Sequence, residues 1–261
     1  MEDTPPKYAT ESKISQLGKS YETAKRRFLS LERRLQANAD IRAEYSKFMN
    51  EYKRLGHMEL VTDEESKEKE TRCYYLPHHA VINNNSTTTK LRVVFDASCK
   101  TDSGLSLNDV LLKGPVIQDD LLYILARFRM CKYVLTANIE KMYRHIIVGE
   151  SHRDYQRIVW RDKPNGPLKI YRLRTVTYGT ISASYLSTVC LEELAEREFS
   201  RYPDAYQSLV NDFYVDDWLG GAMKRAKAIT LRDNIIAVMK GTGLHLRKWA
   251  SNDNSLISRT Q

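Results

Sequence analysis

The stretch at 212–219, DFYVDDWL, limits this chain's fold more than any other. Asp216 and Asp217 are adjacent carboxylates inside an apolar, β-prone run. Phe213, Tyr214 and Val215 precede them, and Trp218, Leu219 and Gly220-Gly221 follow. Acid pairs on a protein surface usually have polar neighbours. Carboxylates wrapped in aromatic residues are costly to desolvate unless something pairs with them. Two explanations meet the pattern. One is a tight turn between hairpin strands, where Asp is an ordinary turn residue. The other is a site for a divalent cation.

With 261 residues the chain can bury one large core or two modest ones. Its hydrophobic share, 42%, suits a globular protein, and no apolar run is long enough to cross a membrane. Residues 1–6 are acidic and contain proline, and a charged amphipathic run follows them, so no secretory leader is expected. Cys73, Cys99, Cys131 and Cys190 lie far apart and form no CxxC pair. They read as reduced thiols of an intracellular protein. Cys73, His78, His79 and Cys99 fit none of the common zinc spacings and read as strand and loop residues. The net charge of +8 is spread along the chain, which admits a polyanionic partner without specifying one.

Along the chain, Ile14, Leu17, Tyr21, Ala24, Phe28, Leu31 and Leu35 recur at steps of three and four, predicting a helix over 14–35. Lys25, Arg26, Arg27, Arg33 and Arg34 cover its other face, either as a solvated surface or as a wall for phosphates. A second helix is expected over 40–55, with Ile41, Tyr45, Phe48 and Tyr52 inward. Residues 62–70 read as a loop, 74–77 as extended chain and 83–89 as a polar turn. A strand is expected over 90–96, with Lys90 and Arg92 at its start. A helix over 119–129 begins with Asp119-Asp120, where negative charge is favourable. A strand over 133–137 runs into Asn138. Strands over 155–160 and 168–173 flank the hairpin signal Pro164-Asn165-Gly166. Ser184 opens a long helix, 222–240 forms another, and 244–249 a final strand. Strands and helices mix without strict alternation. The expected class is α+β, with a largely antiparallel sheet and helices packed on one face.

Two strand ends then carry the chemistry: the one leading into residues 138–143 and the tip at Asp216-Asp217. If the strands are neighbours, these tips converge. Mg²⁺ takes oxygen ligands, usually one or two carboxylates together with substrate phosphates. A pair of such ions activates an attacking oxygen and holds a leaving one, as nucleotidyl transfer to a 3′-hydroxyl requires. A triphosphate would also need cations, and Lys90 and Arg92 could supply them.

Tyr214-Val215-Asp216-Asp217 resembles the YxDD box of reverse transcriptases. Residues 74–81 (YYLPHHAV), 87–98 (TTTKLRVVFDAS), 105–112 (LSLNDVLL), 134–143 (VLTANIEKMY), 155–160 (YQRIVW), 171–180 and 246–252 (LRKWASN) are similar to the polymerase of Pao/BEL-type LTR retrotransposons. An ordered series of this kind is far more specific than YxDD alone. The resemblance implies a right-hand polymerase: an N-terminal helical segment over 1–60, fingers over 61–105 and 150–177, palm over 106–149 and 178–261, and no thumb. It implies an RNA-directed DNA polymerase using Mg²⁺ or Mn²⁺. Its partners would be a primed RNA or DNA template, deoxynucleoside triphosphates and other Pol domains (protease, RNase H, integrase), in the cytoplasm or the nucleus. Asp216 and Asp217 would bind metal. Lys90 and Arg92 would grip the triphosphate, and Tyr143 would gate the sugar. Tyr178 and Gly179 would lie against nucleotide and template, and Lys248 near the pyrophosphate.

The chain departs from that pattern at Asn138, where the family has the first catalytic Asp. An amide is neutral, and its NH₂ presents positive hydrogens to a cation. Glu140 points to the same strand face but is displaced by ~6–7 Å, too far to take over. Ser184 replaces a usual Pro, tolerably as an N-cap. Trp218 is bulkier than the usual aliphatic residue. Catalysis is therefore expected to be impaired, and the alternative is a non-catalytic nucleic-acid-binding remnant or scaffold.

Overall fold

The computed structural model describes residues 14–62, 64–65, 72–83 and 91–258. Lys90 and most of the polar stretches 62–70 and 83–89 fall outside these. In chain order the helices are α1 (Tyr21–Gln36), α2 (Ala39–Arg54), α3 (Leu121–Met130), α4 (Ala183–Glu198), α5 (Pro203–Asn211) and α6 (Arg225–Gly241), besides single turns. The strands are β1 (Met58–Leu60), β2 (His78–Ile82), β3 (Leu91–Phe95), β4 (Tyr133–Ile139), β5 (Arg157–Trp160), β6 (Lys169–Leu173), β7 (Phe213–Tyr214), β8 (Asp217–Ala222) and β9 (Leu246–Ser251). The class is mixed α+β, and every strand pair within the sheets is antiparallel. Two compact units form: Met1–Lys113 with Ile147–Ala183, and Gly114–Ile146 with Ser184–Gln261.

The first unit holds the sheets β1-β6-β5 and β2-β3. Ala24, Phe28, Leu31 and Leu35 of α1 are buried, as the three-four periodicity requires. The helix starts at Tyr21 rather than residue 14. Gly18 turns the preceding chain toward the loop at 102–103, where the Lys19 N–H donates to Asp102 Oδ1 at 2.6 Å. A Cβ on Gly18 would stand 1.9 Å from that same oxygen. In α2 the buried residues are Tyr45, Met49 and Tyr52. Phe48, expected inward, is instead half-buried and packs its ring 4.6 Å from that of Tyr52. β5 and β6 pair from Arg157↔Arg172 to Trp160↔Lys169, joined through Asn165 at φ 65°.

Phe28, Tyr45, Phe95 and Trp160 surround His78. Its Nε2–H donates to the Val159 carbonyl at 2.9 Å, which leaves Nδ1 to accept from the Tyr45 hydroxyl at 2.6 Å. Burial holds the His78 imidazole down at about 4, so it is a neutral core residue with both ring nitrogens engaged.

In the second unit the sheet order is β7-β8-β4-β9. β4 alternates: Leu135, Ala137 and Ile139 are buried, and the residues between them are not. The buried face meets Leu191, Leu194 and Ala195 of α4, Ala205 and Leu209 of α5, and Ala228, Ile235, Val238 and Met239 of α6. The helix α5 and the strand β1 were not expected from the sequence. Ser184 does not cap α4. It already lies inside the first turn, where its carbonyl accepts from Ser187 Oγ at 2.7 Å and Thr188 Oγ1 at 3.0 Å. β9 begins at Leu246 and reaches Ser251, later than expected.

The histidine gives a pH test. Unfolded His78 takes up a proton near 6.5, whereas the folded residue resists until about 4. Stability should therefore fall as pH drops through that window, by about 3 kcal/mol in total. Urea unfolding between pH 7 and 4 should show a steep slope that is flatter in His78→Gln. Equal slopes in the two proteins would remove His78 as the source.

Candidate active site

β7 and β8 form a hairpin whose last pair is Tyr214↔Asp217, so Val215 and Asp216 are its two-residue tip. Such short tips favour positive φ, and Val215 adopts 58°. A β-branched residue is strained there. The Val215 N–H is held by Gln118 Oε1 at 2.8 Å, which offsets part of the cost. The Ile139 N–H donates to the Asp216 carbonyl at 2.8 Å and ties the tip to the end of β4.

β8 runs beside β4 from Tyr133↔Ala222 to Asn138↔Asp217. Asn138 thus stands level with the acid pair, on the face of β4 that turns away from the helices. Its Nδ2 donates to Asp216 Oδ2 at 2.7 Å and to Asp217 Oδ1 at 2.9 Å. One amide group therefore bridges both carboxylates through its two hydrogens. Hydrogen bonds to ionised acceptors are the strong kind.

The hairpin rests on Trp218, which is fully buried. Its Nε1–H donates to Ser208 Oγ at 2.8 Å, and Ser208 Oγ donates to Asp212 Oδ2 at 2.7 Å. Burial raises the Asp212 carboxyl above its ordinary range, against the opposing pull of Ser208 and Arg127. Arg127 also donates to the Asn211 carbonyl and pairs with Asp119 at 2.8 Å. Trp218 packs edge-on to Trp249 at 5.8 Å. Space for the indole comes from Gly220, where a Cβ would stand 2.2 Å from Trp218 Cζ2.

Across Ala137 of β4 the pairing with β9 shifts register: Thr136 faces Ala250, but Asn138 faces Arg247. Lys248 occupies that bulge, exposed, with φ 56°. Glu140 is engaged by Arg247, Oε2 to Nε at 2.7 Å, so it does not stand in for Asn138. Tyr143 lies half-buried in the 3₁₀ turn Met142–His145, entered through Lys141 at φ 53°.

The other expected site residues lie in the first unit. Arg92 is exposed on β3, opposite Val81. Tyr178 and Gly179 are exposed at a turn beside the end of that strand. A Cβ on Gly179, whose φ is 95°, would stand 2.6 Å from the Phe95 carbonyl oxygen. Asn108 clasps the turn: its Nδ2 donates to the Gly179 carbonyl at 2.8 Å, and its Oδ1 accepts from the Ile181 N–H at 2.9 Å. The supporting roles of Asn108, Gln118 and Ser208 were not foreseen. Asn108 falls within a motif that resembles the family, but no spacing marks Gln118 or Ser208.

Among the described residues, no three His, Cys, Asp or Glu side chains converge on one point. The donor set at the hairpin suits one hard divalent ion on Asp216 and Asp217, provided the Asn138 amide turns to present its oxygen. It lacks a carboxylate to bridge a second ion. No helix among the described residues is long and apolar enough to cross a membrane. No protein-family model and no curated protein matches the chain.

Replacing the amide with a carboxylate sets three like charges together and creates a demand for a cation. Asn138→Asp should gain ~5 °C or more in Tm on adding saturating Mn²⁺, while the unaltered chain changes by roughly a degree or less. Equal shifts measured by scanning fluorimetry would show that the amide does not govern cation binding.

Proposed function

We propose that the chain is the reverse transcriptase domain of a Pao/BEL-type LTR retrotransposon Pol polyprotein, an RNA-directed DNA polymerase impaired at its nucleotidyl-transfer step. One observation carries this reading. Asn138, Asp216 and Asp217 stand together at the ends of adjacent antiparallel strands, linked by bonds of 2.7 and 2.9 Å. The ordered motifs quoted from the sequence support it independently.

In this reading the first unit serves as fingers and the second as palm. Mg²⁺ or Mn²⁺, when bound, would neutralise charge on the attacking and leaving oxygens. Asp216 and Asp217 would hold it. Lys90 and Arg92 would bind the triphosphate, and Tyr143 would exclude a 2′-hydroxyl. Tyr178 and Gly179 would position nucleotide and template, and Lys248 would lie near the departing pyrophosphate. The partners would be a primed RNA or DNA template, deoxynucleoside triphosphates and the remaining Pol domains, met in the cytoplasm or the nucleus.

The bridging amide favours a second reading, in which the domain binds nucleic acid without catalysis. Two carboxylates already satisfied by N–H donors have less to gain from a metal ion.

Primer extension on an RNA template separates the two. The unaltered chain should extend little or not at all with Mg²⁺, and Asn138→Asp should raise the rate by about 100-fold or more. Robust extension by the unaltered chain would sink the role given to Asn138. Salt-dependent binding to primer–template, with extension absent from both proteins, would favour the second reading. In an Asn138→Asp background, Arg92→Ala should weaken nucleotide binding ~10-fold or more and template binding much less. Equal losses would remove Arg92 from the triphosphate.

A further inference from the structure

The strand β9 extends the row of residues that meets at the hairpin. Tyr214 pairs with Asp217, Asp217 with Asn138, and Asn138 with Arg247, so one line of side chains crosses the open face of the sheet. Neighbouring strands lie ~4.8 Å apart, which sets the Arg247 backbone ~10 Å from that of Asp217. Arg247 gives its Nε–H to Glu140 Oε2 at 2.7 Å, yet its side chain is still 65% exposed. Among the described residues no protein acceptor meets its Nη1 or Nη2. An exposed ion pair contributes little to stability. Its effect here is orientation. The carboxylate holds one edge of the guanidinium and leaves the two-pronged edge outward, the edge that receives two phosphate oxygens. The surrounding charge suits the same ligand: residues 139–146 and 244–250 hold Lys141, Arg144, His145, His245, Arg247 and Lys248 against one carboxylate, Glu140.

We propose that Arg247, set in place by Glu140, binds a phosphodiester of the nucleic-acid strand whose 3′ end lies at Asp216 and Asp217. This rests on the nucleic-acid partner proposed above, and it makes Glu140 a positioning residue. Charge separates the strand from the other phosphate ligand, the triphosphate. A triphosphate reaches such a site on the metal ion that the two acids hold. A phosphodiester of the strand brings no such ion and needs a protein cation in its place.

Fluorescence anisotropy of a labelled DNA primer annealed to an RNA template, in EDTA, measures binding without metal or reaction. Arg247→Ala should weaken binding ~10-fold and lower the slope of log affinity against log salt by about 0.9, the loss of one phosphate contact. Arg247→Lys should keep that slope yet bind ~3-fold or more weakly, having lost the fork. Glu140→Ala should also bind ~3-fold or more weakly, although it removes a negative charge beside a polyanion. Glu140→Gln, whose amide oxygen can still accept from Nε–H, should bind at least as tightly as the unaltered chain. Each variant should keep the circular dichroism of the parent, because both side chains are exposed. Tighter binding by Glu140→Ala would mean that the carboxylate only repels the strand, and would overturn the proposal. An unchanged salt slope in Arg247→Ala would overturn it while leaving the polymerase reading intact, whereas no binding by the unaltered chain would overturn both. Displacement of the duplex by micromolar inorganic pyrophosphate, lost in Arg247→Ala, would give the guanidinium to a leaving group instead of the strand and overturn it too.

Discussion

Everything at the candidate site depends on the two-residue period of one strand. β4 is flanked on both sides, by β8 and by β9, so its register is fixed twice. The residues at 135, 137 and 139 go to the helices, and the one at 138 goes to the opposite face. A slip of one residue would bury Asn138 among leucines and expose Ile139, which no core of this size could absorb. The same periodicity in β8 sends Trp218 inward and leaves Asp217 beside Asn138. Site and core are therefore two faces of one pairing decision.

Electrostatics then decides what the pairing is worth. Two adjacent carboxylates repel, and a third would add to the repulsion unless a cation drew them together. The amide at 138 relieves that repulsion from within the chain, through two hydrogens that each meet one acid. The tip thereby reaches a satisfied state through its own side chains. The same geometry that would gather a metal ion is spent on an internal contact.

The helical periodicities, the 157–173 hairpin and the acid-bearing turn were legible because each is local. Apolar spacing, turn residues and β-branched runs leave marks within a few positions. The failures are equally physical. α1 starts late because Asp102, far along the chain, takes the backbone at Lys19. Met49 displaced Phe48 because packing partners, not periodicity alone, choose which of two neighbouring residues turns inward. α5 escaped notice because its nine residues carry a short and mixed pattern. The position of Asn138 beside both acids could be expected from strand alternation. The direction of its amide depends on hydrogen bonding that spacing does not encode, and so does the grip of Gln118 on Val215.

The fit of Trp218 over Gly220 couples two positions that look independent in the sequence. A side chain at 220 has nowhere to go until the indole shrinks. Shrinking the indole would deprive Ser208 of its donor and open a cavity under the acid-bearing tip. Neither residue can drift alone without passing through a damaged intermediate.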